Sequence, residues 1–154
     1  MLYAGRVITI PAESRIDLHT HSVRSDGRGT PSQVIKEATE AGLDVVALTD
    51  HDTVAGWDEA RQTAEALGIG FVPGIELTTR VQRNTQHKFT VHMLAYLPDP
   101  NDSQLQSTLS DSVQSRFDRL QQITERLSED FDITWEHVQQ ILADGKVAGR
   151  PAIA

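Results

Sequence analysis

Two histidines one residue apart, His19 and His21, close an apolar stretch in the run Asp17-Leu18-His19-Thr20-His21-Ser22. In an extended backbone successive side chains alternate. Asp17, His19 and His21 therefore share one face, with Leu18 and Thr20 on the other. Two imidazoles about 7 Å apart along a strand can close on a single metal ion. Further on, a second short apolar run ends in Thr49-Asp50-His51-Asp52. Two strands that each end in His and Asp predict a polynuclear metal site at the carboxyl ends of parallel strands, where α/β proteins build their active sites.

The rest of the chain supplies the elements such a site needs. Residues 1–15 read as an irregular or edge segment, with Pro11 interrupting it. Arg15 to His21 is the first strand. Thr30 is a candidate N-cap, with Pro31 at the first helical position and Gln33 three residues after the cap. The helix Pro31 to Ala41 places Val34, Ile35 and Ala38 inward and stops at Gly42. Leu43 to Thr49 is nearly all apolar, as suits a strand buried on both faces. Trp57 to Leu67 is a second helix, stopped by Gly68. Ile69 to Leu77 is a third strand with a break at Pro73-Gly74, and Phe89 to Leu97 is a fourth, across a polar loop from Arg80 to Lys88. This is a parallel α/β pattern. From Asp99 the composition turns polar. Asp102 to Ser128 is a long helix with an apolar stripe of Leu105, Leu109, Val113, Phe117, Leu120, Ile123 and Leu127. Trp135 to Leu142, capped by Thr134, is a shorter one.

Composition narrows the chemistry. A 154-residue chain with 38 % hydrophobic residues can bury a core. Its formal net charge of −8 disfavours coating extended duplex nucleic acid. It leaves room for a small phosphorylated substrate, because bound cations reverse the local sign. With no cysteine, any metal must be held by imidazole, carboxylate and water. No apolar stretch reaches the roughly 18 residues that span a bilayer, and the start carries no secretory signal pattern. A soluble cytoplasmic protein is the expectation.

Four segments hold the candidate ligands. They are His19, His21 and Asp26; then Asp50, His51 and Asp52; then Glu76, which interrupts the apolar run Gly74-Ile75-Glu76-Leu77; then His92, which interrupts Val91-His92-Met93-Leu94. One histidine in a strand is usually an ordinary core or surface residue. Four of the six histidines and a Glu at or near predicted strands are not a random scatter. His87 and His137 read as solvated residues, and Trp57 and Trp135 as packing residues.

The run Asp17-Leu18-His19-Thr20-His21-Ser22 with Ser25-Asp26-Gly27, the run Leu48-Thr49-Asp50-His51-Asp52-Thr53, and the pair Gly74-Ile75-Glu76 and Val91-His92-Met93-Leu94 resemble, in order and spacing, the first three motifs of the polymerase and histidinol phosphatase (PHP) family. Gly149-Arg150-Pro151 resembles a segment in the helical insertion of its stand-alone phosphoesterases, which act on nucleotides and short RNA. The resemblance implies part of a distorted (β/α)7 barrel. Residues 1–98 would be the N-terminal part of the metal-binding domain and residues 99–154 a helical insertion, apparently truncated. It also implies up to three divalent ions (Mn, Fe or Zn). His19, His21 and Glu76 would hold one, Glu76 and His92 a second, Asp26 and His51 the third. Asp17 and Asp50 would orient the imidazoles.

Two departures stand out. Ala152 occupies the position where that branch usually has His. The family's last motif, an Asp-x-His, has no counterpart before Ala154, so the chain as given is expected to hold a partial centre of fewer than three ions and to have little activity alone. The implied function is metal-dependent hydrolysis of phosphate monoesters or diesters, on a nucleotide 3',5'-bisphosphate or short RNA. Bound metal lowers the pKa of a water from about 15.7 towards about 7, so a metal-bound hydroxide is available at neutral pH. Arg150 could clamp a phosphate with its planar fork. The alternatives are a non-catalytic metal-binding module of the same family and a histidinol phosphate phosphatase. Gly149-Arg150-Pro151 and the polar insertion favour the nucleotide branch.

Overall fold

The computed structural model describes residues 11–82 and 88–143. Eight elements follow in order: β1 (Ile16–Thr20), α1 (Pro31–Glu40), β2 (Val45–Leu48), α2 (Trp57–Leu67), β3 (Gly70–Gln82), β4 (Lys88–Tyr96), α3 (Ser103–Leu127) and α4 (Trp135–Ala143). The α/β class and all eight expected elements are present. Residues 1–10 and Arg150 lie outside the described residues. Thr30 caps α1 in a full capping box: its hydroxyl accepts from Gln33 N–H, and the Gln33 side chain accepts from Thr30 N–H at 2.7 Å. Gly42 and Gly68 adopt left-handed backbone (φ 75° and 74°) where α1 and α2 end.

The four strands form one sheet in the order β1-β2-β3-β4. β2, buried along its whole length, is flanked by β1 and β3, both parallel to it. Two expectations are corrected here. First, β3 does not break at Pro73-Gly74. It changes partners there: Gly70 to Pro73 pair with β2, and Gly74 to Gln82 pair with β4. Second, β4 is antiparallel to β3, and the two strands extend into the expected Arg80–Lys88 loop from both sides, to Gln82 and from Lys88. Parallel neighbours need a crossover of a dozen or more residues, and Gln82 and Lys88 are too close in the chain for one. His92 therefore sits inside an antiparallel strand and not at the end of a parallel one. The sheet also curls. The Tyr96 hydroxyl, at the end of β4, donates to the Leu18 carbonyl of β1 at 2.8 Å, joining the two outer strands of the same sheet into a half-barrel.

The main core lies between the sheet and its helices: Val46, Leu48, Ile69 and Ile75 against Ile35, Ala38, Trp57, Ala60, Ala64 and Leu109. Helix α3 does not bury its expected stripe as one face. Leu109 joins this core, Leu120 packs on Val138 of α4, and Val113 and Phe117 between them are exposed. Both tryptophans pack as expected, and His137 is exposed. Trp57 also donates from Nε1 to the Gly74 carbonyl at 2.8 Å, inside the core, where β3 changes partner. Trp57→Phe keeps the ring packing but strands that carbonyl. It should lower the unfolding free energy by about 1–3 kcal/mol in urea titrations, and an unchanged midpoint would show that the bond does not hold the switch point.

Candidate metal centre

The partner change in β3 places Glu76 between two strands. On one side it faces Leu94 in the β4 register, and on the other it forms an isolated parallel bridge with His51, just beyond the end of β2. Its neighbour Ile75 is fully buried, Leu77 packs at the core's margin, and alternation turns the Glu76 side chain to the opposite face. There the carboxylate meets four imidazoles. One oxygen, Oε2, lies 2.7 Å from His19 Nε2, 3.0 Å from His21 Nε2 and 3.9 Å from His51 Nε2. The other, Oε1, lies 2.8 Å from His92 Nδ1. Asp26 closes the far side, with its oxygens 3.3 Å from His21 Nδ1 and 3.6 Å from His51 Nε2.

All six candidate ligands, His19, His21, Asp26, His51, Glu76 and His92, thus come together. They form three overlapping groups, His19-His21-Glu76, His21-Asp26-His51 and His51-Glu76-His92, with the donor atoms in each within 4.8 Å of one another. Donors that share an ion at bond lengths of about 2.0–2.2 Å stand about 3–4 Å apart, so the spacing suits metal. His51 gives an independent sign. Its Nδ1 is buried without a hydrogen-bond partner, and its Nε2 stops beyond hydrogen-bond length of both carboxylates. A buried polar atom without a partner is costly, and a cation among His21, Asp26 and His51 would use the Nε2 lone pair.

The loop that carries Asp26 is built around a buried carboxylate. Asp50 accepts from Ser22 N–H, Ser22 Oγ and Ser25 Oγ, each at 2.7 Å. Asp50, expected to orient an imidazole, has Ser22 and Ser25 as its partners instead. It acts through Ser25, whose hydroxyl also lies 3.3 Å from His21 Nδ1. Gly27 lets the loop fold back: a Cβ there would fall 2.2 Å from the His21 carbonyl oxygen. Asp17 is likewise not an imidazole partner, since it accepts from His19 backbone N–H at 3.0 Å. Asp52 turns away from the imidazoles to pair with Arg116 of α3. Ser22, Ser25 and Arg116 were not singled out from the sequence. The serines had a weak signal in their place beside the histidine pair, and Arg116 had none.

Burial is the main influence on His51 and lowers its pKa below 6.5; Glu76 and Asp26 pull it up, and His21 and Arg116 push it further down. Burial works the other way on Glu76 and would raise its pKa. Hydrogen bonds from His19 and His92 and the charge of the imidazoles outweigh it, and the carboxyl stays below 4.5.

A half-barrel with a cluster of imidazole and carboxylate donors on the sheet defines a metal-binding α/β domain. The family model of the PHP domain matches residues 17–149, and the chain belongs to that family. It is 36 % identical over 110 residues to the 3',5'-nucleoside bisphosphate phosphatase of Chromobacterium violaceum, covering 71 % of this chain and 37 % of that protein. To the 5'-3' exoribonuclease Rnm of Escherichia coli it is 33 % identical over 113 residues, 72 % of this chain and 37 % of the other. The crystal structure of a protein from Bifidobacterium adolescentis, named a metal-dependent phosphoesterase, superposes with a TM-score of 0.78 at 38 % identity, covering 94 % of this chain and 49 % of that one. The chain spans half or less of the length of these relatives.

The two pKa shifts give the metal-stripped protein a defined pH response. As pH falls below 6.5 the unfolded chain takes up a proton that folded His51 resists. Below 4.5 the unfolded chain protonates Glu76 before the folded protein does. Both favour unfolding, so stability is lost as pH falls through each window. Urea midpoints measured from about pH 8 to about pH 4 should fall from pH 6.5 downwards, and less steeply in His51→Asn. Equal slopes for the two proteins would contradict the burial of a neutral His51.

Proposed function

We propose that the chain carries the metal-binding part of a phosphoesterase that hydrolyses phosphate esters of nucleotides, a nucleotide 3',5'-bisphosphate or short RNA. The observation that carries this reading is the convergence of four imidazoles and Asp26 on Glu76. Such a donor set suits Mn, Fe or Zn. In a complete family member His19, His21 and Glu76 would hold one ion, Glu76 and His92 a second, and Asp26 and His51 a third. Residues 1–98 are assigned to this metal-binding unit and residues 99–154 to a helical insertion. When bound, the ions supply charge to neutralise phosphate oxygens and acidify a water enough for attack near neutral pH.

The protein's own groups prepare that chemistry. Glu76 stays ionised under cover, because the hydrogen bonds from His19 and His92 offset its burial. His51, lowered by burial, keeps its lone pair available below the usual histidine range. The Asp50-Ser25 contact fixes His21: Ser25 Oγ donates to Asp50, so its lone pair can accept from His21 Nδ1–H, leaving Nε2 to face Glu76. Arg150 is assigned the clamp on a substrate phosphate. A nucleotide substrate accords with the bisphosphatase and exoribonuclease names of the two relatives. The net charge of −8 argues against extended duplexes. Among the described residues no helix is long and apolar enough to cross a membrane, and a cytoplasmic location is part of the proposal.

Protein purified from its whole natural reading frame, loaded with Mn, should release phosphate from a nucleoside 3',5'-bisphosphate or mononucleotides from a short RNA. Glu76→Gln should reduce turnover to background, and Arg150→Ala should raise KM more than it lowers kcat. Hydrolysis of histidinol phosphate alone would select the amino-alcohol branch instead. Metal binding without turnover on any of the three substrates would mark a non-catalytic module.

A further inference from the structure

Arg116 lies on α3 between its two apolar anchors, Leu109 and Leu120. The side chain is 19 % exposed, and Nη2 donates both to Asp52 Oδ2 and, at 2.9 Å, to Thr78 Oγ1. Both acceptors adjoin the candidate centre. Asp52 follows His51 directly, and Thr78 stands opposite His92 in the β3–β4 register. One guanidinium therefore joins the end of β2 to the β3–β4 hairpin where His51, Glu76 and His92 gather.

Asp52 is the joint of this contact. Its φ of 51° is left-handed, a region that few residues with a Cβ enter and that Asp adopts more readily than most. Three bonds hold the residue in that conformation. Asp52 N–H donates to the Glu76 carbonyl at 3.1 Å, and Oδ1 accepts from Thr78 N–H at 2.9 Å. The third is the bond from Arg116, and it comes from outside the sheet. The Asp52 side chain is 1 % exposed, and a carboxylate at that depth needs a cation beside it. Among the described residues Arg116 is that cation. Docking of α3 does not itself require an arginine at this position, since Leu105 and Leu109 already seat the helix in the core.

We propose that Arg116 is a positioning residue of the metal centre: from α3 it holds the turn at residues 50–52 in register with the β3–β4 hairpin, and so sets His51 against Glu76 and His92. The inference rests on the metal-binding reading above. Without the contact, the left-handed turn relaxes and carries His51 away from the other donors. The ion that depends on His51 then binds more weakly, and the one held by His19, His21 and Glu76 is spared.

The test is a Co²⁺ titration of the metal-stripped protein, followed by visible absorption, with melting temperature recorded in parallel. Arg116→Ala should weaken the weakest Co²⁺ step at least tenfold and alter the d–d spectrum, with far-ultraviolet circular dichroism unchanged. Arg116→Lys, which keeps the charge within reach of both acceptors, should recover most of the affinity. The double variant Asp52→Asn/Arg116→Ala has no buried unpaired charge. It should regain melting temperature without regaining affinity, and it serves also if Arg116→Ala proves too unstable to purify. Arg119→Ala, an exposed arginine on the same helix, should match the wild type. Wild-type affinity and spectrum in Arg116→Ala despite a lower melting temperature would overturn the proposal. So would affinity that returns with stability in the double variant. Wild-type protein that binds no Co²⁺ would overturn the metal-binding reading itself, and this inference with it.

Discussion

A buried carboxylate surrounded by imidazoles governs how this half-barrel is put together. Glu76 is 6 % exposed. An unpaired carboxylate at that depth costs several kcal/mol by order of magnitude, so its partners must be delivered with the backbone. They come from separate stretches of chain. β1 and the residue after it bring His19 and His21, the end of β2 brings His51, and β4 brings His92. Sheet order and site order are therefore one arrangement. A slip of one residue in β3 would turn Glu76 into the core and Ile75 out of it, losing the apolar contacts and the imidazole contacts together.

The change of partner along β3 makes this possible. Its first part completes a parallel layer whose crossovers, α1 and α2, cover the core. Its second part forms a hairpin that bends back over the sheet, far enough for Tyr96 to reach Leu18. The hairpin brings His92 across from the side opposite β1. The parallel strands alone could present His19, His21 and His51, and among the described residues the donor for the second oxygen of Glu76 comes from the antiparallel arm. Helix α3 then enters from outside the sheet through Arg116, which contacts Asp52 and Thr78 beside those donors.

Much of this was legible in the sequence because polar residues that interrupt apolar runs carry physical information. His19, His21, His51, Glu76 and His92 each interrupt or end a segment otherwise fit for burial, and α1 announced itself by its Thr30 cap, with Gly42 and Gly68 marking where α1 and α2 stop. The hairpin's length was hidden, because the polar stretch after Leu77 has no alternation from which to read a strand. Its direction was readable in principle from the missing crossover helix. The long stripe on α3 misled for a different reason. Spacing reveals one apolar face, but not that this face docks on two separate clusters and leaves Val113 and Phe117 exposed. Arg116 on a charged helix resembles any solvated arginine until the tertiary contact with Asp52 is seen. Asp50 was noticed for its charge, yet its reach through Ser25 depends on a loop geometry that no spacing rule encodes.

In the proposed centre, one cluster around Glu76 holds the metal. The most direct measurement is anomalous diffraction from crystals of the protein grown with Mn or Zn, with data collected at the metal's absorption edge. Anomalous peaks should lie in contact with Glu76, flanked by His19, His21, His51, His92 and Asp26, and be absent from crystals of Glu76→Gln. Peaks confined to other surfaces, or peaks at this cluster that persist undiminished in Glu76→Gln, would contradict it.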